Sequence, residues 1–271
     1  MPIIKTLLKA TKLEKEKFKI PKSVQDAIPI QRIWPDGIFQ VGSRFSKTFF
    51  FTDINYSIAS KEDKTAMFID YSELLNALDS GASAKITINN RRIDKAEFEK
   101  SLLLPMKEDG LDHYRKEYNE MLLSKVTGTN NSVVQDRYIT ITVAKRNIDE
   151  ARTYFSRVGT DLITHLSQLS SIGRELDAGT RLQVFRDFFK GNEPAAFAFD
   201  LKEQMKKGHN FKDWLCPDSM EFQKDHFRLN DRWGRVLYLQ GYASYIKDSM
   251  IAELCDMDRS LMLSIDILPV P

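Results

Sequence analysis

The sequence predicts an α+β protein with mixed sheets and helices. Three observations carry that expectation. Lys85-Ile86-Thr87-Ile88 and Tyr138-Ile139-Thr140-Ile141-Thr142-Val143 alternate with period two, the pattern of half-buried strands. Other segments place apolar residues at helical spacing, as at Ala151, Tyr154, Phe155, Val158, Leu162, Leu166 and Leu169. Helix-start signals precede several of those segments: Ser60 with Asp63, Asn147 with Glu150, and Asp177.

The elements follow in order. Pro21 and Pro29 bracket a short linker behind a basic arm. Arg32–Val41 reads as a hairpin turning at Pro35-Asp36-Gly37, because proline presets one turn angle and glycine tolerates positive φ. A strand over residues 47–58 follows; Phe49-Phe50-Phe51 within it cannot all face one side, so both of its faces should be covered. The helix behind Ser60 has Met67, Phe68, Tyr71, Leu74, Leu75 and Leu78 as its stripe and stops at Gly81. Asp94 opens another helix, which Pro105 ends. An amphipathic helix from Leu111 to Val126 carries Tyr114, Tyr118, Met121 and Leu122 on one face. Gly128-Thr129-Asn130-Asn131-Ser132 marks an internal loop.

The second half opens with the strand Tyr138–Val143 and the long helix behind Asn147. Asp177 caps a helix through Phe185, Phe188 and Phe189, and a brief one spans Asp200 to Lys207. Strands are expected near Met220–Leu229, at Arg235–Leu239 and at Leu261–Ile267, with a helix from Tyr245 to Cys255 before the last. From residue 138 onward the order reads β-α-β-β-α-β with a helical insertion, that of a ferredoxin-like unit. It places Tyr138–Val143, Arg235–Leu239 and Leu261–Ile267 in one sheet. The organisation expected is an arm and linker over 1–29, a first α/β subdomain over 30–130, and a second, ferredoxin-like subdomain over 131–271.

Composition bounds the function. Hydrophobic residues make up 42% and charged residues 29% of the chain, ordinary values for a globular protein. No run of about 18 apolar residues is present to span a membrane. Cys216 and Cys255 are the two cysteines, too few for a disulfide framework and suited to a reducing compartment. The net charge of +2 is unevenly spread: Lys5, Lys9, Lys12, Lys15, Lys17, Lys19 and Lys22 face only Glu14 and Glu16 in residues 1–22. That arm holds a surplus of five positive charges, beside Ile3, Ile4, Leu7 and Leu8, and the remaining body is mildly acidic. Such an arm either lies on an anionic membrane or partner surface or stays a solvated terminus.

The motifs of common chemistries are missing. A phosphate-binding loop needs a Gly-Lys pair, and the sequence has none; no G-x-G is present either. His113, His165, His209 and His226 include no H-E-x-x-H pair, and the spacing of His209, Cys216 and His226 matches no zinc pattern. No G-x-S-x-G elbow occurs, and Cys255 reads as a small core residue. The basic clusters Asn89-Asn90-Arg91-Arg92 and Lys206-Lys207-Gly208-His209 belong to no nucleic-acid motif, and the acidic body argues against tracking phosphates. The expectation is a chain with no catalytic, cofactor-binding or metal-binding residue.

Longer strings add a resemblance. They are Arg32-Ile33-Trp34-Pro35-Asp36-Gly37-Ile38-Phe39-Gln40-Val41-Gly42, Phe51-Thr52-Asp53-Ile54-Asn55-Tyr56, Lys85-Ile86-Thr87-Ile88-Asn89-Asn90-Arg91-Arg92, Asp109-Gly110-Leu111 with Tyr118-Asn119-Glu120-Met121-Leu122, Gly208-His209 with Phe211-Lys212-Asp213, and Tyr242–Asp248 with Ala252–Asp256. From about Val24 to Pro271 the chain resembles the N-terminal region of VirB/CagE/TrbE-type conjugal transfer ATPases, as found in integrative conjugative elements of Gram-positive bacteria. The resemblance implies a non-catalytic domain that seats a type IV secretion motor at the cytoplasmic face of the membrane channel. Its partners would be inner-membrane channel proteins and other copies of the ATPase. ATP and magnesium would belong to a C-terminal domain beyond residue 271. The alternatives are a DNA-handling adaptor of the same machinery and a small hydrolase with an unrecognised site.

Overall fold

The computed structural model describes residues 21–54, 56, 58–92, 103–128, 133–190, 200–241, 243–245, 247–257 and 259–269. Its elements run α1 (Val24–Ala27), β1 (Arg32–Ile33), β2 (Phe39–Val41), β3 (Arg44–Phe51), α2 (Lys61–Asn76), β4 (Ala82–Arg92), α3 (Asp112–Gly128), β5 (Val133–Ala144) and α4 (Ile148–Gln168). Then come β6 (Gly173–Glu175), α5 (Ala178–Lys190), α6 (Leu201–Lys206), α7 (Phe211–Leu215), β7 (Met220–Phe222), β8 (Phe227–Leu229), β9 (Arg232–Gly234), α8 (Asp248–Cys255) and β10 (Leu261–Ile267). Helices and antiparallel sheets together make the α+β fold that the sequence predicts.

A seven-stranded antiparallel sheet has the order β1-β2-β3-β5-β4-β10. The inner edge of β3 pairs with β5 throughout; its outer edge pairs with β2 at one end and β6 at the other. The chain order β3-α2-β4-β5-α4-β6 thus maps onto the spatial order β6-β3-β5-β4. Each helical connection joins two parallel strands and skips the antiparallel strand between them. Strands from either side of residue 130 are therefore interleaved.

Alternation gives the sheet two unlike faces. One presents Phe45 and Phe49 of β3, Ala82 and Ala84 of β4, and Ile139, Ile141 and Val143 of β5. These residues pack with Leu74 of α2 and Tyr154, Phe155, Val158, Leu162 and Leu166 of α4 as the principal core. The helix starts hold as expected. Ser60 Oγ accepts from the Asp63 N–H, Asn147 Oδ1 from that of Glu150, and Asp177 Oδ1 from that of Thr180. Within the core face Lys47 is buried and meets Glu175 of β6 at 2.5 Å, so the buried ammonium has its counter-charge.

The opposite face carries Ser83, Lys85 and Thr87 of β4, Tyr138, Thr140 and Thr142 of β5, and Ser264 and Asp266 of β10. With α5 above, these line a cleft of about 480 Å3. Thr48 pairs with Thr140 across the strands at 2.8 Å. Phe50 also points to this face and meets Tyr138 edge-on, so β3 is covered on both sides as its Phe-Phe-Phe run requires. Arg181 of α5 is buried. It donates to the carbonyls of Gly37 and Ser46 and to Ser46 Oγ, and it stacks on Phe39, 4.1 Å from the ring centroid. Burial pulls its guanidinium down to about 9. Gly37 closes the hairpin at φ +77°; a Cβ there would collide with the Leu176 carbonyl. A second core of Ile28, Ile30, Phe39, Leu182, Leu215 and Cys216 lies beneath α5 and α7.

Three expectations need correction. Arg235–Leu239 is not a strand, so the ferredoxin-like unit placed over 138–271 does not form there. Its other two strands, β5 and β10, share the large sheet but are separated by β4. Met220–Leu229 is not one strand: Phe222 and Phe227 pair across a tight turn, and β7-β8-β9 is a separate small sheet. The last helix starts at Asp248 rather than Tyr245. The helix expected from Asp94 falls mainly outside the described residues.

Candidate interaction surface

The segment from Arg235 to Leu239 has the composition of a buried strand and the surroundings of a loop. Val236 is 76% exposed, Leu237 82%, Tyr238 82% and Leu239 69%. β9 stops just before it, at Gly234. A Cβ at that position would collide with the Phe227 ring, so the backbone there packs directly on the aromatic. Among the described residues, no backbone hydrogen bond engages residues 235–241. Among the described residues the segment is an exposed, mostly apolar ribbon that joins no sheet.

Both flanks of this ribbon are anchored. The small sheet before it is tied to α5 through Arg232, which donates to the Phe189 carbonyl, and through Lys190 and Asp218 at 3.6 Å. Asn230 adopts φ +52° at the β8–β9 turn, and its Oδ1 accepts the N–H groups of Asp218 and Ser219. After the ribbon, α8 is fastened at its C-terminal end: the buried Asn90 donates to the Cys255 carbonyl at 2.6 Å. The outward side of α8 adds Met250 and Leu254 to the exposed apolar surface. Exposed apolar surface of this kind marks candidate contact sites.

The residues singled out from the sequence lie elsewhere. Lys5, Lys9, Lys12, Lys15, Lys17 and Lys19 fall outside the described residues, and Lys22 is exposed just ahead of α1. His226 bonds Asp225 and packs beside Trp233, whereas Cys216 is buried at the end of α7. Among the described residues, no group of three His, Cys, Asp or Glu side chains is placed to hold a metal ion. Burial raises the thiol pKa of both cysteines, which keeps them protonated and weakly nucleophilic. His165 of α4 is half-buried, and its Nδ1 has no partner among the described residues. No helix among the described residues is long and apolar enough to cross a membrane.

Sequence reasoning found residues 235–239 but assigned them to the wrong place, because an apolar strand-like run is normally a core strand. The signal available was the punctuation: Gly234 and Gly241 enclose the run, and Gln240-Gly241-Tyr242-Ala243-Ser244 supplies no partner pattern. Comparison with models of known protein families gives no match, and comparison with curated protein sequences gives none either.

Proposed function

We propose that the chain is a non-catalytic assembly domain, the N-terminal part of a conjugative type IV secretion ATPase, and that it docks the motor to proteins of the membrane channel. The observation that carries this reading is the exposed ribbon Val236–Leu239. An exposed apolar segment whose backbone groups have no partner among the described residues is suited to add a strand to a partner's sheet. Burying such side chains contributes roughly 1.5–3 kcal/mol each, enough in sum to offset part of the entropy lost on association. The strings that resemble the conjugal transfer ATPases supply the choice of machinery. On this reading the domain works at the inner face of the membrane, with the lysine-rich arm adding a weak, salt-sensitive attraction to anionic lipid.

Capture of channel proteins tests the proposal. The immobilised chain is incubated with detergent-solubilised membranes of a donor cell carrying a conjugative secretion system, beside the double variant Leu237→Asp/Tyr238→Asp. Both side chains are exposed, so the variant should keep its stability within about 0.5 kcal/mol. Channel components should be retained by the parent chain and lost from the variant. Their absence from the parent, or equal retention by both, would sink the reading.

A further inference from the structure

Arg186 and Lys190 stand one helical turn apart on α5 and so share a face. Both line a cleft of about 250 Å3 whose remaining wall includes Gln204, His209 and Asn210. Arg186 is only 7% exposed. A guanidinium offers five N–H donors. Among the described residues this one donates only to the Trp214 carbonyl, at 3.4 Å, and its buried Nε has no acceptor. The guanidinium also lies over the Trp214 ring, 5.2 Å from its centroid, and within electrostatic reach of Asp187, but its Nε–H is a buried donor without an acceptor, which is costly.

The other lining groups point the same way. Among the described residues Lys190 pairs only with the exposed Asp218 carboxylate, at 3.6 Å. Asn210 uses its Oδ1 to accept the Lys212 N–H, which leaves its amide NH2. The Gln204 side chain and the His209 ring have no hydrogen-bond partner among the described residues. Asp213 also lines the cleft, but its carboxylate is engaged by the Gln25 side chain and the Asn210 N–H. The cleft therefore holds a surplus of hydrogen-bond donors around a space of ligand size, with two cations, Arg186 and Lys190, and one carboxylate, Asp213, in its lining.

We propose that this cleft binds a tetrahedral oxyanion of the phosphate type. Arg186 would grip two oxygens with its planar fork, Lys190 would supply a point charge, and the Asn210 and Gln204 amides would complete the shell. The assignment stands independently of the assembly role.

Isothermal titration of the intact chain with inorganic phosphate tests it, against sodium chloride of matched ionic strength. A dissociation constant in roughly the millimolar range is expected, weakened about tenfold in Arg186→Gln and in Lys190→Gln. Melting curves report whether each variant folds; if Arg186→Gln does not, Lys190→Gln decides. No saturable heat with phosphate, equal response to chloride, or unchanged affinity in the folded variants would overturn the proposal. Methyl phosphate forms a second arm: tighter binding of inorganic phosphate assigns the cleft to the free ion, and tighter binding of methyl phosphate assigns it to a phosphate monoester.

Discussion

Asp187 and Asp109 show how differently two carboxylates are held. Asp187 is half-buried on α5 and accepts a 2.6 Å hydrogen bond from Gln183. Burial raises its pKa, against the lowering effects of that hydrogen bond and of Arg91 and Arg186. A raised folded-state pKa means that folding disfavours the charged form. The associated stability is full below the unfolded-state value, near 4, and is lost as pH rises through the folded value. Asp187→Asn should therefore raise the melting temperature at about pH 7 and lose that advantage near pH 3. Thermal melts at the two pH values check this; a variant less stable than the parent at neutral pH would contradict it. Asp109 is the opposite case. The hydrogen bond from Arg115 holds its carboxyl at about 2, so its contribution is present above the unfolded value and lost as pH falls through about 2. Asp109 is exposed, and solvent screening leaves that contribution small.

Among the elements, α4 best joins sequence to structure. Its stripe, its cap and its burial all agree: Asn147 caps it, and Tyr154, Phe155, Val158, Leu162 and Leu166 face the core. Asn147→Ala should cost about 1 kcal/mol, because the Glu150 N–H loses its acceptor at the helix start. Urea unfolding measures this, and a loss below about 0.3 kcal/mol would show that water replaces the cap. The helices α2 and α3 were less legible. Phe68 and Tyr71 extend the stripe of α2 yet are exposed, and so are Tyr114, Tyr118 and Met121 of α3. Periodicity reports that a helix has an apolar side; it does not report whether this chain supplies the cover. The same gap explains Arg235–Leu239, where strand composition is present and a pairing edge is not. The phosphate-type cleft was illegible for another reason. Arg186 and Lys190 look like ordinary helix charges until α6 and α7 bring Gln204, His209 and Asn210 across from them.

For the whole molecule, the decisive feature is that β5 sits between β3 and β4. The apolar face of β5 forms the middle of the core, and each of its edges satisfies a neighbour. Residues 21–130 alone would leave β3 and β4 without their shared partner and Phe45, Phe49 and Ala84 without cover. That fragment should show no cooperative thermal transition and little amide protection in β3 or β4, whereas the full chain should show both. A cooperative, protected fragment would mean that the first half carries a core of its own. The interleaving also sets a timetable during synthesis on the ribosome. β4 ends at Arg92, but the strand that covers its outer edge begins only at Leu261. At roughly 5–20 residues per second, that edge waits on the order of ten to thirty seconds for its partner. Throughout the wait a nascent chain holds an open strand edge toward its neighbours on the same messenger, so slower decoding between the two strands would lower yield without altering a single residue.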